Sequence, residues 1–152
     1  IYASSFYYNE HGEPCWPAQV INYTNKTQFL FRIEKGILDI NDNAVNDHFA
    51  EGELRVPFRN IVYIGDSATD IPCMRLVNSL GGHSVGVYDS ENTDSKDTVR
   101  RMIRDERIRY YVPADYTKGS EMDTFMHQII DKTAAYEVLE EKHLRDRKEA
   151  VR

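Results

Sequence analysis

Two aspartates four residues apart, Asp66 and Asp70, sit in the turn after an apolar run, within IVYIGDSATDIPCM at residues 61–74. Carboxylate oxygens are hard ligands, and a pair of them with retained water suits Mg²⁺ rather than Zn²⁺. The helix that Pro72 opens behind the turn adds a favourable place for an anion such as phosphate. Gly65 lets the backbone turn sharply and approach a ligand closely. Earlier in the chain, Lys26 stands at a loop-to-helix junction in Tyr23-Thr24-Asn25-Lys26-Thr27. A lysine aimed at a phosphoryl group neutralises developing charge as a point cation. The first turn of a helix mildly disfavours a cation, so Lys26 is a local inconsistency of the kind that marks functional sites. The structural alternative is that Asp66 and Asp70 are turn and cap residues, where Asp is common. Their position directly after a buried strand favours function, because ligands in open α/β sheets bind beyond the carboxyl ends of the strands.

The elements that must hold these residues follow from hydrophobic period and turn chemistry. Residues 61–64 read as a buried strand and 72–80 as a helix. Gly81-Gly82 then turns into a strand at 83–88. A charged helix at 95–105, with Val99, Met102 and Ile103 on its apolar face, leads to a strand at 108–112. Strand–helix alternation of this kind predicts a parallel sheet with helices packed on its faces. A last helix starts at Ser120, with Asp123 three residues on as a capping box. Its stripe is Met122, Phe125, Met126, Ile129 and Ile130. Residues 136–152 read as a charged, solvated helical extension of a core unit spanning 1–135. Toward the other end, residues 1–3 read as the end of a strand, and 6–21 as an irregular hairpin or flap. A helix from Asn25 to Gly36 follows, with Phe29, Leu30 and Ile33 at helical spacing. Residues 38–60 read as a long polar connection with one short helix near Val45.

Composition bounds the function classes. The chain has 152 residues, 41% hydrophobic and 29% charged, which is one ordinary domain with a core of its own. A net charge of −6 argues against a general affinity for nucleic acid. No apolar run approaches the roughly 18 residues of a membrane span. Cys15 and Cys73 do not form a disulfide framework; Cys73 reads as a small buried apolar side chain and Cys15 as a loop residue, so a reduced, cytoplasmic setting is expected. The five histidines, His11, His48, His83, His127 and His143, show no metal-ligand spacing and read as structural or exposed. The chain opens at Ile1 within an apolar segment, so the sequence is expected to start inside a larger protein.

Taken together, NYTNKTQFLFRIEKG, VPFRNIVYIGDSATDIPCMRLV, GGHSVGVY and YYVPADYTKGS resemble the haloacid-dehalogenase-like (HAD) phosphohydrolases, nearest to a branch close to the phosphoserine phosphatases. The likeness runs over roughly residues 1–130. It implies an α/β fold, a partial Rossmann-like parallel sheet with flanking helices. It implies a Mg²⁺-dependent phosphatase chemistry through an aspartyl-phosphate, acting on a phosphorylated small molecule. Lys26 matches the family's catalytic, phosphate-contacting lysine. Asp66 and Asp70 match the acidic metal motif, with Asp66 ligating directly and Asp70 directly or through water. Ser67 would help bind phosphate from the same turn.

The departures from the family pattern matter as much. No DxDx[TV] nucleophile motif follows an apolar strand; Asp39-Ile40-Asn41-Asp42 comes after Lys26, in the wrong order. Ser4 and Ser5 are the only candidates for the phosphate-binding Ser/Thr motif, and they fit the following strand of the pattern better. About twenty residues separate Ala3 from Lys26, too few for a cap domain there. A sheet without the nucleophile strand carries unpaired edges. The chain is therefore expected to need a missing amino-terminal half, or self-association, to complete it, and to be inactive alone. The other reading is a non-catalytic α/β binding or assembly domain derived from that fold. A phosphoacceptor receiver domain is disfavoured, since there the acids precede the lysine.

Overall fold

The computed structural model describes residues 1–151. Its centre is a three-stranded parallel sheet, β3 (Val62–Gly65), β4 (His83–Tyr88) and β5 (Tyr110–Pro113), in the order β3-β4-β5. The crossovers are α2 (Ile71–Ser79) and α3 (Thr93–Arg104). Sequential order in one direction, with crossovers of one hand, puts both helices on one face. The cluster Met74, Tyr88, Val99, Met102 and Ile108 lies there. The other face carries α4 (Glu121–Ala150), whose Met122 and Ile129 pack on Val85, Val87 and Val112. Strand alternation sorts the residues: Val85 and Val87 point to α4, while Ser84, Gly86 and Tyr88 point to the crossover helices. Met74, Val77, Val85 and Val99 are fully buried, each contributing about 1.5–3 kcal/mol relative to exposure. The structure is thus a mixed α/β unit with a small parallel sheet between helices.

α1 (Lys26–Lys35) packs on α2 through the cluster of Leu30, Phe58, Ile61, Cys73 and Val77. Gly36 ends it in the left-handed conformation (φ 74°), as its place in the sequence predicts. Residues 38–60 hold three 3₁₀ turns, one of them over Asn43–Asn46 with Val45 buried. Two basic side chains of α1 pin this segment. The Arg32 guanidinium donates to the carbonyls of Ile37, Asp39, Ile40 and Asp42, and the Lys35 ammonium to those of Val45 and Asp47. Arg32 is 2% exposed, whereas Ile33, expected on the apolar face, is 36% exposed. The helix turns its arginine inward because four backbone carbonyls need a donor there.

Four further expectations are corrected. Residues 1–3 form no strand; the antiparallel hairpin is β1 (Ser5–Tyr8) with β2 (Pro14–Gln19), its register broken twice. Ser5 therefore opens a hairpin strand, and Ser4 Oγ accepts the amide N–H of Ile21 at 3.0 Å to close the hairpin base. Cys15 lies on β2, exposed, rather than in a loop, while Cys73 is buried as expected. Ile130, at 61% exposure, falls outside the α4 stripe, which follows Met122, Phe125, Met126 and Ile129. Ser120 caps α4 by accepting from the Asp123 amide, while the Asp123 carboxylate accepts from Gly119 N–H instead of Ser120's. The helix passes residues 135 and 136 without a break, so core unit and extension share one helix. Among the described residues no helix is long and apolar enough to cross a membrane.

Candidate functional site

At the carboxyl end of β3 the chain leaves the sheet through Gly65 and Asp66, makes one 3₁₀ turn over Ala68–Asp70, and enters α2. The turn folds Asp70 back over Gly65. A Cβ on Gly65 would stand 2.7 Å from Asp70 Cβ, 2.8 Å from Asp70 Cγ and 2.8 Å from Met74 Cε. Gly65 is required because Asp70 occupies the space a side chain would take, not because a ligand approaches its backbone.

Asp70 is the hub. It is 5% exposed. Lys26 Nζ donates to its Oδ1 at 2.7 Å, across 44 residues of sequence. Tyr63 Oη donates to the same oxygen at 2.8 Å, and Ser67 Oγ to Oδ2 at 3.1 Å. Thr69 Oγ1 lies 2.7 Å from Ser67 Oγ and, with that proton already given to Asp70, is the donor between the two. Burial pushes the Asp70 carboxyl up, but the bonds from Lys26, Tyr63 and Ser67 outweigh it and hold it below the ordinary carboxylate value. Burial pushes the Tyr63 phenol up, and its bond to the carboxylate pushes it further. Tyr63 therefore stays protonated and serves as a donor. Burial also raises the thiol of Cys73, beside Tyr63, so it is a packing group rather than a nucleophile.

The cap reading fails for Asp70. It occupies the N-cap position of α2, but its carboxylate accepts no amide of that helix. The side chain is spent on long-range partners instead. Lys26 opens α1 and reaches the carboxylate through its long stem, which resolves the inconsistency of a cation in a first turn.

Of the residues singled out by sequence, the fold brings together Lys26, Ser67 and Asp70. Asp66 is exposed and, among the described residues, its side chain has neither hydrogen bond nor ion pair. The two acids are unequal: one is buried and neutralised, the other free. Sequence reasoning missed Tyr63. In IVYIG it reads as one more strand residue; the signal was a hydroxyl in an apolar run, which needs a partner when buried. No group of three or more His, Cys, Asp or Glu among the described residues is arranged to hold a metal ion. Mg²⁺ commonly uses one or two carboxylates plus water and substrate phosphate. Asp66 would offer such an ion one free carboxylate, while Asp70 is already engaged by Lys26, Tyr63 and Ser67, a donor set that fits only a weakly held Mg²⁺.

No family model matches the chain, and no solved structure matches it. Over 105 residues it is 27% identical to an uncharacterized protein of Borreliella burgdorferi (strain ATCC 35210 / DSM 4680 / CIP 102532 / B31), covering 67% of this chain and 34% of that protein. The chain thus spans about a third of the length of the relative it matches.

Proposed function

We propose that this chain is the carboxyl-terminal part of a Mg²⁺-dependent phosphohydrolase of the haloacid-dehalogenase-like kind, acting on a phosphorylated small molecule. The observation that carries the reading is the bond from Lys26 Nζ to Asp70 Oδ1, at 2.7 Å, beyond the carboxyl end of a parallel strand. It joins a cation and an acid from separate motifs, in the order in which the family has them. The likeness of a full Rossmann-like core, rather than a general α/β unit, belongs to the same proposal.

Each residue then takes a role that its surroundings support. Asp66, free and exposed, is the direct metal ligand. Asp70 acts through water and through Lys26, whose ammonium it orients. Lys26, 29% exposed at its side chain, can turn from the carboxylate toward a phosphoryl oxygen and offset charge developing there. Ser67, from the same turn, exchanges its bond to Asp70 for one to phosphate. A bound Mg²⁺ supplies charge neutralisation on the transferring oxygens. The attacking aspartate of an aspartyl-phosphate route has no counterpart in residues 1–152. It comes from another segment, an amino-terminal part or another chain, that adds a strand beside β3. Among the described residues strand β3 pairs with β4 alone, and its other edge is free.

The test is an assay on the complete natural protein. With Mg²⁺ it should release phosphate from p-nitrophenyl phosphate, and Asp66→Asn should remove that activity while leaving the melting temperature of the Mg²⁺-free protein unchanged. Residues 1–152 alone should release none. No phosphate release by the complete protein, or full activity in Asp66→Asn, rejects the proposal in favour of a binding domain.

A further inference from the structure

At the opposite end of the sheet from Asp66 and Asp70, a cavity of about 210 Å³ opens between α4 and the start of β4. Its walls are Arg59, Asn60, His83, Lys132, Thr133 and Tyr136, with Gly81 at its floor. That is well above the roughly 10–15 Å³ a single water needs by the same measure, so there is room for a small solute.

Two features of the walls are unexplained by packing. His83, the first residue of β4, is 3% exposed, and its Nδ1, turned away from solvent, has no partner, which leaves Nε2 as the ring nitrogen beside Lys132. Lys132 Nζ lies 3.4 Å from His83 Nε2 and, among the described residues, pairs with no carboxylate. The neighbouring acid, Glu137, is already taken. Arg59 donates to it at 2.8 Å and to Glu51 at 2.9 Å, which holds its carboxyl below the usual range. Arg59 also stacks on Tyr136, which makes that wall rigid. The field at the imidazole is positive: burial first, then Lys132 and Arg109, push His83 below its ordinary value. The cavity therefore combines an ammonium without a carboxylate partner, a neutral imidazole whose Nε2 lies beside it and a hydroxyl at Thr133, with no free carboxylate on its walls.

We propose that this cavity is a second binding site, for a small oxyanion, a phosphate or a carboxylate, held by Lys132 and His83. The anion gives Lys132 the charge partner it lacks and exchanges the weak Lys132–His83 contact for two charge-assisted bonds. The site lies beyond the amino ends of the strands and shares no residue with the Lys26–Asp70 centre. It stands whether or not that centre is a phosphatase.

The experiment is histidine side-chain NMR on this chain, with His83 assigned by its loss in His83→Gln. Sodium phosphate and sodium acetate are titrated separately, against sodium chloride at equal ionic strength. The His83 ring signals should shift saturably with at least one of the two oxyanions, and the arm that saturates at lower concentration identifies the head group. Lys132→Met, at an exposed helix position, should weaken the midpoint roughly 10-fold or more. Lys26→Met should leave it unchanged, which separates this site from the other. A response that never saturates, that chloride reproduces, or that persists unchanged in Lys132→Met overturns the proposal.

Discussion

Replacing Lys26 by methionine removes the charge partner of Asp70 and keeps a stem of similar length. The carboxylate that remains is 8% exposed at its side chain, with only Tyr63 and Ser67 as donors. Breaking a buried ion pair from one side costs about 3–5 kcal/mol, and an exposed pair is worth about 1 kcal/mol or less. With Lys26 at 29% exposure the pair lies between these limits, so the expected loss at pH 7 is about 2–3 kcal/mol. Its pH dependence is the sharper test. In the wild type the folded carboxyl lies below its unfolded value. Its contribution is then fully present above the unfolded value, about 3.9, and is lost as pH falls through the depressed folded value. In Lys26→Met the main cause of depression is gone and burial dominates, so the folded value rises. The variant's deficit should be largest near neutral pH, begin to shrink as pH falls through the variant's raised folded value, and approach zero only below the wild type's depressed one. Urea unfolding of both proteins across that range measures the difference directly, with all other carboxylates common to both. A deficit that is the same at every pH, or under about 0.5 kcal/mol at pH 7, refutes the view that Lys26 holds Asp70 ionised.

Three other substitutions probe the frame of the site. Tyr63→Phe removes one donor to Asp70 and should cost about 1 kcal/mol; two-dimensional NMR should show the Asp70 carboxyl titrating at higher pH, and an unchanged titration would exclude Tyr63 from the cluster. Gly65→Ala drives a methyl into Asp70 and Met74 and should cost about 1–3 kcal/mol by overpacking; an unchanged urea midpoint would mean the turn is looser than its geometry. Arg32→Met leaves the carbonyls of Ile37, Asp39, Ile40 and Asp42 without their donor. It should cost about 3 kcal/mol or more and open residues 37–42 to protease; resistance equal to wild type would show that Arg32 is not what pins that segment.

The sequence made the βαβαβ half legible because its signals are local. Apolar runs of strand length, Gly81-Gly82, and the Ser120 cap each report on a few neighbouring residues, and the three strands and their helices lie where those signals put them within about two residues. Two kinds of feature escaped. The inward arginine of α1 did, because Arg32 beside Phe31 and Ile33 looks like a solvent-facing charge until the carbonyls of residues 37–42 curl around it. Tyr63 did, because its role is set by a carboxylate seven residues on that the 3₁₀ turn brings back over Gly65. Both are cases where a polar group's partner is fixed by tertiary closure rather than by spacing. For the site, sequence named Lys26, Ser67, Asp66 and Asp70, but could not say that the acids differ in burial, which decides what each can do.

That inequality has a consequence for how the centre is completed. Asp70 already has a cation and two hydroxyl donors, so it offers little to a metal without rearranging. Asp66 alone offers one carboxylate, too few to hold a hard cation tightly. On the proposed reading, a further ligand would come from beside β3. That edge is the one the three-stranded sheet leaves open next to the site among the described residues, and Ile64 on it is 39% exposed, whereas Val62 and Tyr63 are half-buried and Gly65 buried. A parallel strand added there would end, as parallel strands do, at the same level as Gly65. Its carboxyl-terminal side chains would then lie at the level of Asp66 and the Lys26 ammonium. The same addition would cover Ile64 and pair the free edge of β3. On the proposed reading, completing the sheet and completing the charge balance of the site would therefore be one event, since a segment that did the first would be placed to do the second.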